Sequence, residues 1–184
     1  MNRAQTDNSF PEEKIGLRTK HLPDKRKIRV LDCFAGDGTI WQSVQMQTEK
    51  SLIVTSIEKE DRGSALALKG DNVKWLRVLD LSKFDVIDLD AYGVPFRQLE
   101  ILFGRIRKRT GKMHVFVTYI QRQPGVLPFG MLDILGYPRS MIRKCPTMFY
   151  REGWKKFLLY LGKRGVTEVI HRSYQKKHYL FFRI

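Results

Sequence analysis

The chain has 184 residues, 42% of them hydrophobic, which suits one domain with a full core. No apolar run approaches the roughly 20 residues of a membrane helix, and the polar start from Met1 to Lys14 has no signal-peptide apolar region. Lys plus Arg number 34 against 19 acids, a formal net charge of +15, which favours a polyanionic partner, nucleic acid above all.

Residues 1–27 hold few large apolar side chains, and Lys25-Arg26-Lys27 leads into the first strand. They read as a basic arm with Lys14, Arg18, Lys20, Lys25, Arg26 and Lys27 open to phosphates, or as a disordered tail. Ile28 to Leu31 is a short apolar run that stops at Asp32, and Gly36 and Gly38 follow two apart. A new segment, Ile40 to Glu49, begins at once, so the pattern is buried strand, tight turn and helix. Asp32 and Asp37 flank that turn. They would repel a pyrophosphate and welcome a ligand carrying an ammonium and a sulfonium. Trp41 occupies the place where a dinucleotide fingerprint needs a small residue, which disfavours a nicotinamide or flavin site.

Ser51 to Ile57 is rich in β-branched residues and reads as a second strand ending at Glu58. Ser64 to Lys69 reads as a third, stopped by Gly70-Asp71-Asn72, with a short helix from Val73 to Leu79. The competing reading makes 65–69 helical and Lys74 to Val78 the strand. Phe84 to Leu89 is a fourth strand, and it ends in Asp88-Leu89-Asp90-Ala91-Tyr92-Gly93-Val94-Pro95. Phe96 to Arg109 places Leu99, Leu102, Phe103 and Ile106 on one helical face, and Met113 to Ile120 is a fifth strand. Residues 121–151 carry four prolines, three glycines and interleaved aromatic and basic side chains, which reads as a loop-rich insertion with a role in recognition. Glu152 to Lys163 is a helix, and Thr167 to Ile170 and Lys177 to Ile184 pair as a closing hairpin. The expected fold is α/β: a mostly parallel, seven-stranded sheet flanked by helices, with the last strand antiparallel. Cys33 falls in a predicted buried strand and Cys145 in a loop, which speaks against a disulfide framework and for a reducing, cytoplasmic interior. The histidines and cysteines have no zinc-ligand spacing, so no metal is expected.

From Ile28 to Ile184 the chain resembles the class I S-adenosylmethionine-dependent methyltransferases, a Rossmann-like family. The resemblance rests on Asp32-Cys33-Phe34-Ala35-Gly36-Asp37-Gly38, the acidic strand end at Glu58, Gly70-Asp71-Asn72, and Asp88-Leu89-Asp90-Ala91-Tyr92-Gly93, in that order. It implies S-adenosyl-L-methionine as cofactor, held by Asp32, Phe34, Ala35, Gly36, Asp37 and Gly38 at the methionine portion and by Glu58 at the ribose. Asp71 and Asn72 would meet the adenine, with Asp80 the substitute if the third strand is the later segment. Asp88 joins the cofactor set. The fourth-strand motif is similar to the Asp-Pro-Phe/Tyr-Gly signature of enzymes that methylate exocyclic amines of nucleobases, nearest to the tRNA guanine-N2 methyltransferases, with Ala91 in place of proline.

The chemistry suits these residue types. An aryl amine is a poor nucleophile because its lone pair is delocalised into the ring. The Asp90 carboxylate and the Ala91 carbonyl could accept its hydrogens, turn the lone pair toward the methyl group and support the developing charge, and Asp90 could take the proton. Tyr92 could stack on the base. Arg122, Arg139, Arg143 and Lys144 are the expected phosphate contacts, on RNA in preference to DNA. The alternatives are a DNA or protein methyltransferase of the same fold, or a catalytically degenerate relative that binds nucleic acid.

Overall fold

The computed structural model describes residues 10–59, 67–106, 113–121, 127–175 and 177–184. At its centre is β1 (Lys27–Asp32), in which Ile28, Val30 and Leu31 are all fully buried. Burial on both faces is what an apolar run without alternation dictates for a central parallel strand. Then come β2 (Ser51–Glu58), β3 (Leu68–Lys69), β4 (Val86–Leu89), β5 (His114–Ile120), β6 (Val169–Tyr174) and β7 (Lys177–Arg183). They form a single sheet in the order β3-β2-β1-β4-β5-β7-β6. β1 is parallel to β2 and β4, and β4 to β5; β7 alone runs antiparallel, between β5 and β6. The order reverses direction at β1, between β2 and β4, which is where open α/β sheets bind ligands.

Helices α1 (Pro11–Lys20) and α2 (Thr39–Met46) cover one face, where Ile15, Leu17, Trp41 and Val44 meet Ile28, Val30, Val86, Phe116 and Phe181. Helices α3 (Asn72–Val78), α4 (Phe96–Ile106) and, farther on, α5 (Phe129–Ile134), α6 (Arg139–Lys144) and α7 (Gly153–Lys163) belong to the other layer. There Leu76, Leu99, Leu102, Met131, Ile142, Phe157 and Leu161 share a core with Leu31, Ile87, Val115 and Phe182. Among the described residues no helix is long and apolar enough to cross a membrane.

One alternative falls away and two expectations change. β3 is Leu68–Lys69 and a helix follows it, so the reading with a strand over Lys74 to Val78 fails. Asp71 decides this locally, since its carboxylate accepts the Val73 N–H at 2.7 Å and caps α3. Residues 64–66 of the predicted strand lie outside the described residues. The described part of the 121–151 stretch is mostly helical. Pro128 and Pro138 sit just before α5 and α6, and Pro146 begins a 3-10 turn over Pro146–Tyr150, so three of its prolines start helices. Arg122 and Pro124 lie outside the described residues.

The second changed expectation concerns the basic N-terminal segment. Lys14 and Arg18 are not open to phosphates; they are buried at 5% and 2% exposure. α1 is held down on several sides. Phe10 stacks on Tyr174 at 4.7 Å and His21 on Phe181 at 4.6 Å, Glu13 pairs with Arg172, and the His114 ring nitrogen bonds the His21 carbonyl at 2.7 Å.

Candidate active site

The tips of β1, β2 and β4 and the turns after them surround two adjoining cavities. A tight one of about 80 Å³ is lined by Lys14, Asp32, Phe34, Ala35, Gly36, Asp37, Asp88, Asp90, Ala91, Tyr92 and Thr118. A wider one of about 440 Å³ is lined by Glu58, Lys59, Gly70, Asp71, Asn72, Arg97 and Gln98. Phe34, Gly36, Asp90 and Tyr92 belong to both walls. Gly36 and Gly38 have φ of +57° and +77°, so the turn needs residues without a Cβ at both places. Gly38 precedes α2 and lies outside both cavities.

Asp88 and Asp90 lie on the same side of the β4 tip, two residues apart. The Arg18 guanidinium grips Asp88 through both oxygens, Nε to Oδ2 at 2.7 Å and Nη2 to Oδ1 at 2.8 Å, and the Trp41 indole N–H donates to Oδ2 at 2.8 Å. Asp88 is 1% exposed. Its oxygens are thereby committed within the protein. Asp90 receives the Lys14 ammonium on Oδ2 at 2.8 Å and the Thr118 hydroxyl on Oδ1, with Arg18 at 3.8 Å. Burial pushes Asp88 above the usual carboxylate range, and Arg18 opposes that shift. For Asp90 the balance falls the other way: burial is outweighed by Arg18 and Lys14, and its carboxyl is held below the usual range. Burial would lower Arg18, yet Asp88, Asp90 and Asp32 outweigh it and raise the guanidinium further.

Asp32 differs from both. It is 4% exposed, its Oδ1 accepts the Phe34 N–H at 3.1 Å, and no cation pairs with it among the described residues. Burial first and the Asp88 charge second push it well above the usual range. The cluster therefore sets three buried or nearly buried carboxyl groups against two buried cations, and Asp32, the carboxyl without an ion pair among the described residues, would be drawn to its charged form by a cation placed in the tight cavity. That donor set fits a ligand bearing a net positive charge.

Other predicted residues have structural work of their own. Glu58 accepts the Gly36 N–H at 2.7 Å and the Lys59 N–H at 2.9 Å, which ties the β2 tip to the glycine turn. The Asp37 carboxylate accepts the Thr39 N–H at 3.2 Å and its hydroxyl at 2.8 Å at the start of α2. Asn72 donates to the Cys33 carbonyl and accepts from Gln98, both at 2.9 Å, and so joins β1 to α4 beside the wide cavity. Ala91 explains its own departure from the proline pattern. Its N–H donates to the Leu89 carbonyl at 2.8 Å, closing a three-residue turn with Asp90 at the centre. Proline has no N–H to give; the hydrogen bond does the stiffening that a ring would otherwise do.

Of the expected phosphate contacts, the three described ones are not gathered at the cavities. Arg139 is engaged by Asp133 through two hydrogen bonds of 2.9 and 2.8 Å, and the exposed Arg143 and Lys144 line neither cavity. Sequence reasoning missed Lys14, Arg18, Thr118 and Arg97. The signal for the first two was present. Pro11-Glu12-Glu13 is a helix start, and Lys14 and Arg18 are one turn apart beside Ile15 and Leu17.

No protein-family model matches the chain, and no curated protein matches it. Solved structures do. A provisionally named rRNA-methylase from Clostridium thermocellum superposes with a TM-score of 0.57 at 11% identity, covering 94% of each chain. A SAM-dependent methyltransferase from Archaeoglobus fulgidus gives 0.55 at 11% identity, over 95% of this chain and 94% of that one. A precorrin-6y C5,15-methyltransferase from Geobacter metallireducens gives 0.53 at 10% identity, over 94% and 87%. Identities this low speak for architecture alone, and what they establish is that this chain has the Rossmann-like fold of the class I S-adenosylmethionine-dependent methyltransferases.

Proposed function

We propose that the protein is an S-adenosylmethionine-dependent methyltransferase that modifies an exocyclic base nitrogen of nucleic acid, RNA before DNA and guanine N2, as in tRNA, before other amines. The observation that carries this reading is the position of Asp90 and Tyr92 on the wall shared by the two cavities, with Ala91 between them lining the tight one. One side of that wall is the acid-rich glycine turn; the other opens toward Glu58 and Asn72. The net charge of +15 and the rRNA-methylase named among the structural neighbours support nucleic acid as the acceptor.

The donor set fits the cofactor. Asp32 would supply a buried carboxylate that has no ion pair among the described residues, Glu58 would offer carboxylate lone pairs to ribose hydroxyls, and Asp71 and Asn72 would meet the adenine. When bound, S-adenosylmethionine supplies an electrophilic methyl group on a cationic sulfur. The chain's own residues then orient and exclude. Asp90 and the Ala91 carbonyl accept the amine hydrogens and turn its lone pair outward. Tyr92, 49% exposed, offers its ring to the base, which must leave its stack to reach this depth. Positioning in line accounts for most of the rate enhancement, because the leaving group is already good.

Asp90→Ala is expected to abolish methyl transfer while cofactor affinity, read by calorimetry, stays near wild type. Equal turnover in that variant would falsify the assignment of Asp90. Digestion of treated tRNA, rRNA and DNA to nucleosides, with the new methylated species identified by mass, fixes the acceptor; methyl label found in protein instead of nucleic acid defeats the nucleobase reading.

A further inference from the structure

We propose that Lys14, from the helix preceding the nucleotide-fold core, is a positioning residue of the active site: it pins Asp90 as a permanent anion, so that Asp90 orients the amine and never receives its proton. The inference rests on the methyltransferase reading above and specifies how its central residue works.

The geometry is specific. The Lys14 ammonium lies 2.8 Å from Asp90 Oδ2 and 5.4 Å from the centre of the Tyr179 ring, and the side chain is 6% exposed. The other Asp90 oxygen is engaged by Thr118. The groups around Asp90 are Lys14 and Arg18 from α1, Asp88 beside it on β4, Asp32 from β1, Thr118 from β5 and Tyr92 from its own turn, with Tyr179 of β7 beneath Lys14. Arg18 is shared, gripping Asp88 at 2.7 Å and reaching Asp90 only at 3.8 Å, which leaves Lys14, at 2.8 Å, as the nearer cation on Asp90. A proton on Asp90 would strand a buried ammonium without its countercharge, and an unpaired buried charge is strongly disfavoured. Each carboxylate oxygen has a second lone pair, so a pinned Asp90 still accepts hydrogens from an incoming amine.

The proton balance does not need a base. As the amine nitrogen forms its bond to the methyl carbon, the carbon–sulfur bond breaks with its electron pair left on sulfur. The nitrogen then carries one hydrogen too many. An N-methylated aryl ammonium is a strong acid and passes that proton to water in the open cavity. Asp90 lowers the energy of the charged nitrogen by proximity, as a fixed anion aimed at developing positive charge.

Two measurements test this. Carbon-13 carboxyl titration of the free protein needs neither cofactor nor RNA. The Asp90 midpoint is expected below the ordinary carboxylate value of 3.8 in wild type and higher by about one unit or more in Lys14→Met. Single-turnover rates against pH are the second. Wild type is expected flat from about pH 4.5 to 8, whereas Lys14→Met should lose rate by up to about tenfold per unit below its raised midpoint. Lys14→Arg should restore the flat profile. A wild-type Asp90 midpoint above about 5, or a Lys14→Met protein with an unmoved midpoint and a flat profile, overturns the proposal. If Lys14→Met does not fold, the wild-type titration decides alone. Complete absence of methyl transfer by wild type defeats the underlying methyltransferase reading, and is recognised separately because the titration is independent of turnover.

Discussion

Asp32 shows how a single carboxylate can work against folding and for binding. Buried, with no cation pairing it among the described residues, its carboxyl is pushed well above 3.8. A raised folded value means the contribution to stability is full at low pH and is lost as pH rises through that value. Asp32→Asn keeps a carbonyl oxygen for the Phe34 N–H and removes the charge. It should raise the melting temperature at pH 8 by a few degrees, about 2–4 °C for each kcal/mol recovered in a chain of this size. The same change should weaken S-adenosylmethionine by tenfold or more in calorimetry, about 1.4 kcal/mol. A variant that is less stable at pH 8, or that binds the cofactor as tightly as wild type, would contradict the account of Asp32 as the unmatched charge.

At the scale of elements, the hairpin of β6 and β7 against α7 carries its own titration. His178 stacks flat on Trp154 at 3.9 Å, bonds the Ser173 hydroxyl at 2.8 Å, and has its pKa lowered to about 4 by burial and then by His171. A depressed value means stability is present above the unfolded value of about 6.5 and drains away as pH falls toward 4. Thermal melts between pH 7 and 4 should show that decline, and His178→Phe, which preserves the stack, should make it shallower. Identical slopes would remove His178 from the explanation. Periodicity made most elements legible, including β1, α4, α7 and the closing hairpin, because each carries its own apolar signature. β3 was harder, since two residues have no period to read, and its neighbour was settled by the Asp71 cap. The 121–151 stretch misled because proline was taken as loop punctuation, whereas Pro128 and Pro138 open helices whose Met131, Leu132 and Ile142 complete the core. At the site, the glycine turn and the β4 tip were visible as motifs. Lys14 and Arg18 were legible as neighbours on one helix face, but what they and Thr118 do was not, because it is set by partners that the fold brings in from 28 to 76 positions away.

Over the whole molecule, charge is distributed in two roles. Lys14 and Arg18 spend theirs inside, on Asp90 and Asp88. Those two pairs are neutral, so the formal +15 is carried by the rest of the chain, and on the nucleic-acid proposal it meets phosphates. RNA affinity should therefore fall steeply with salt, with log K decreasing linearly in log salt at a slope of about 0.7 per neutralised phosphate on single strands. Titrations between 50 and 200 mM salt would measure it; a flat response would point to a protein or small-molecule acceptor. Arg143→Ala and Lys144→Ala together should reduce that slope by up to about 1.4 if α6 belongs to the footprint.

The way α1 reaches into the sheet has a practical corollary. A shortened polypeptide starting at Ile28 would keep every recognisable motif and yet lose the countercharges that make its acidic heart tolerable. It should come out of expression insoluble or catalytically dead. Supplying the missing first 27 residues as a separate peptide should rescue it in trans, a split-protein complementation readable by solubility alone.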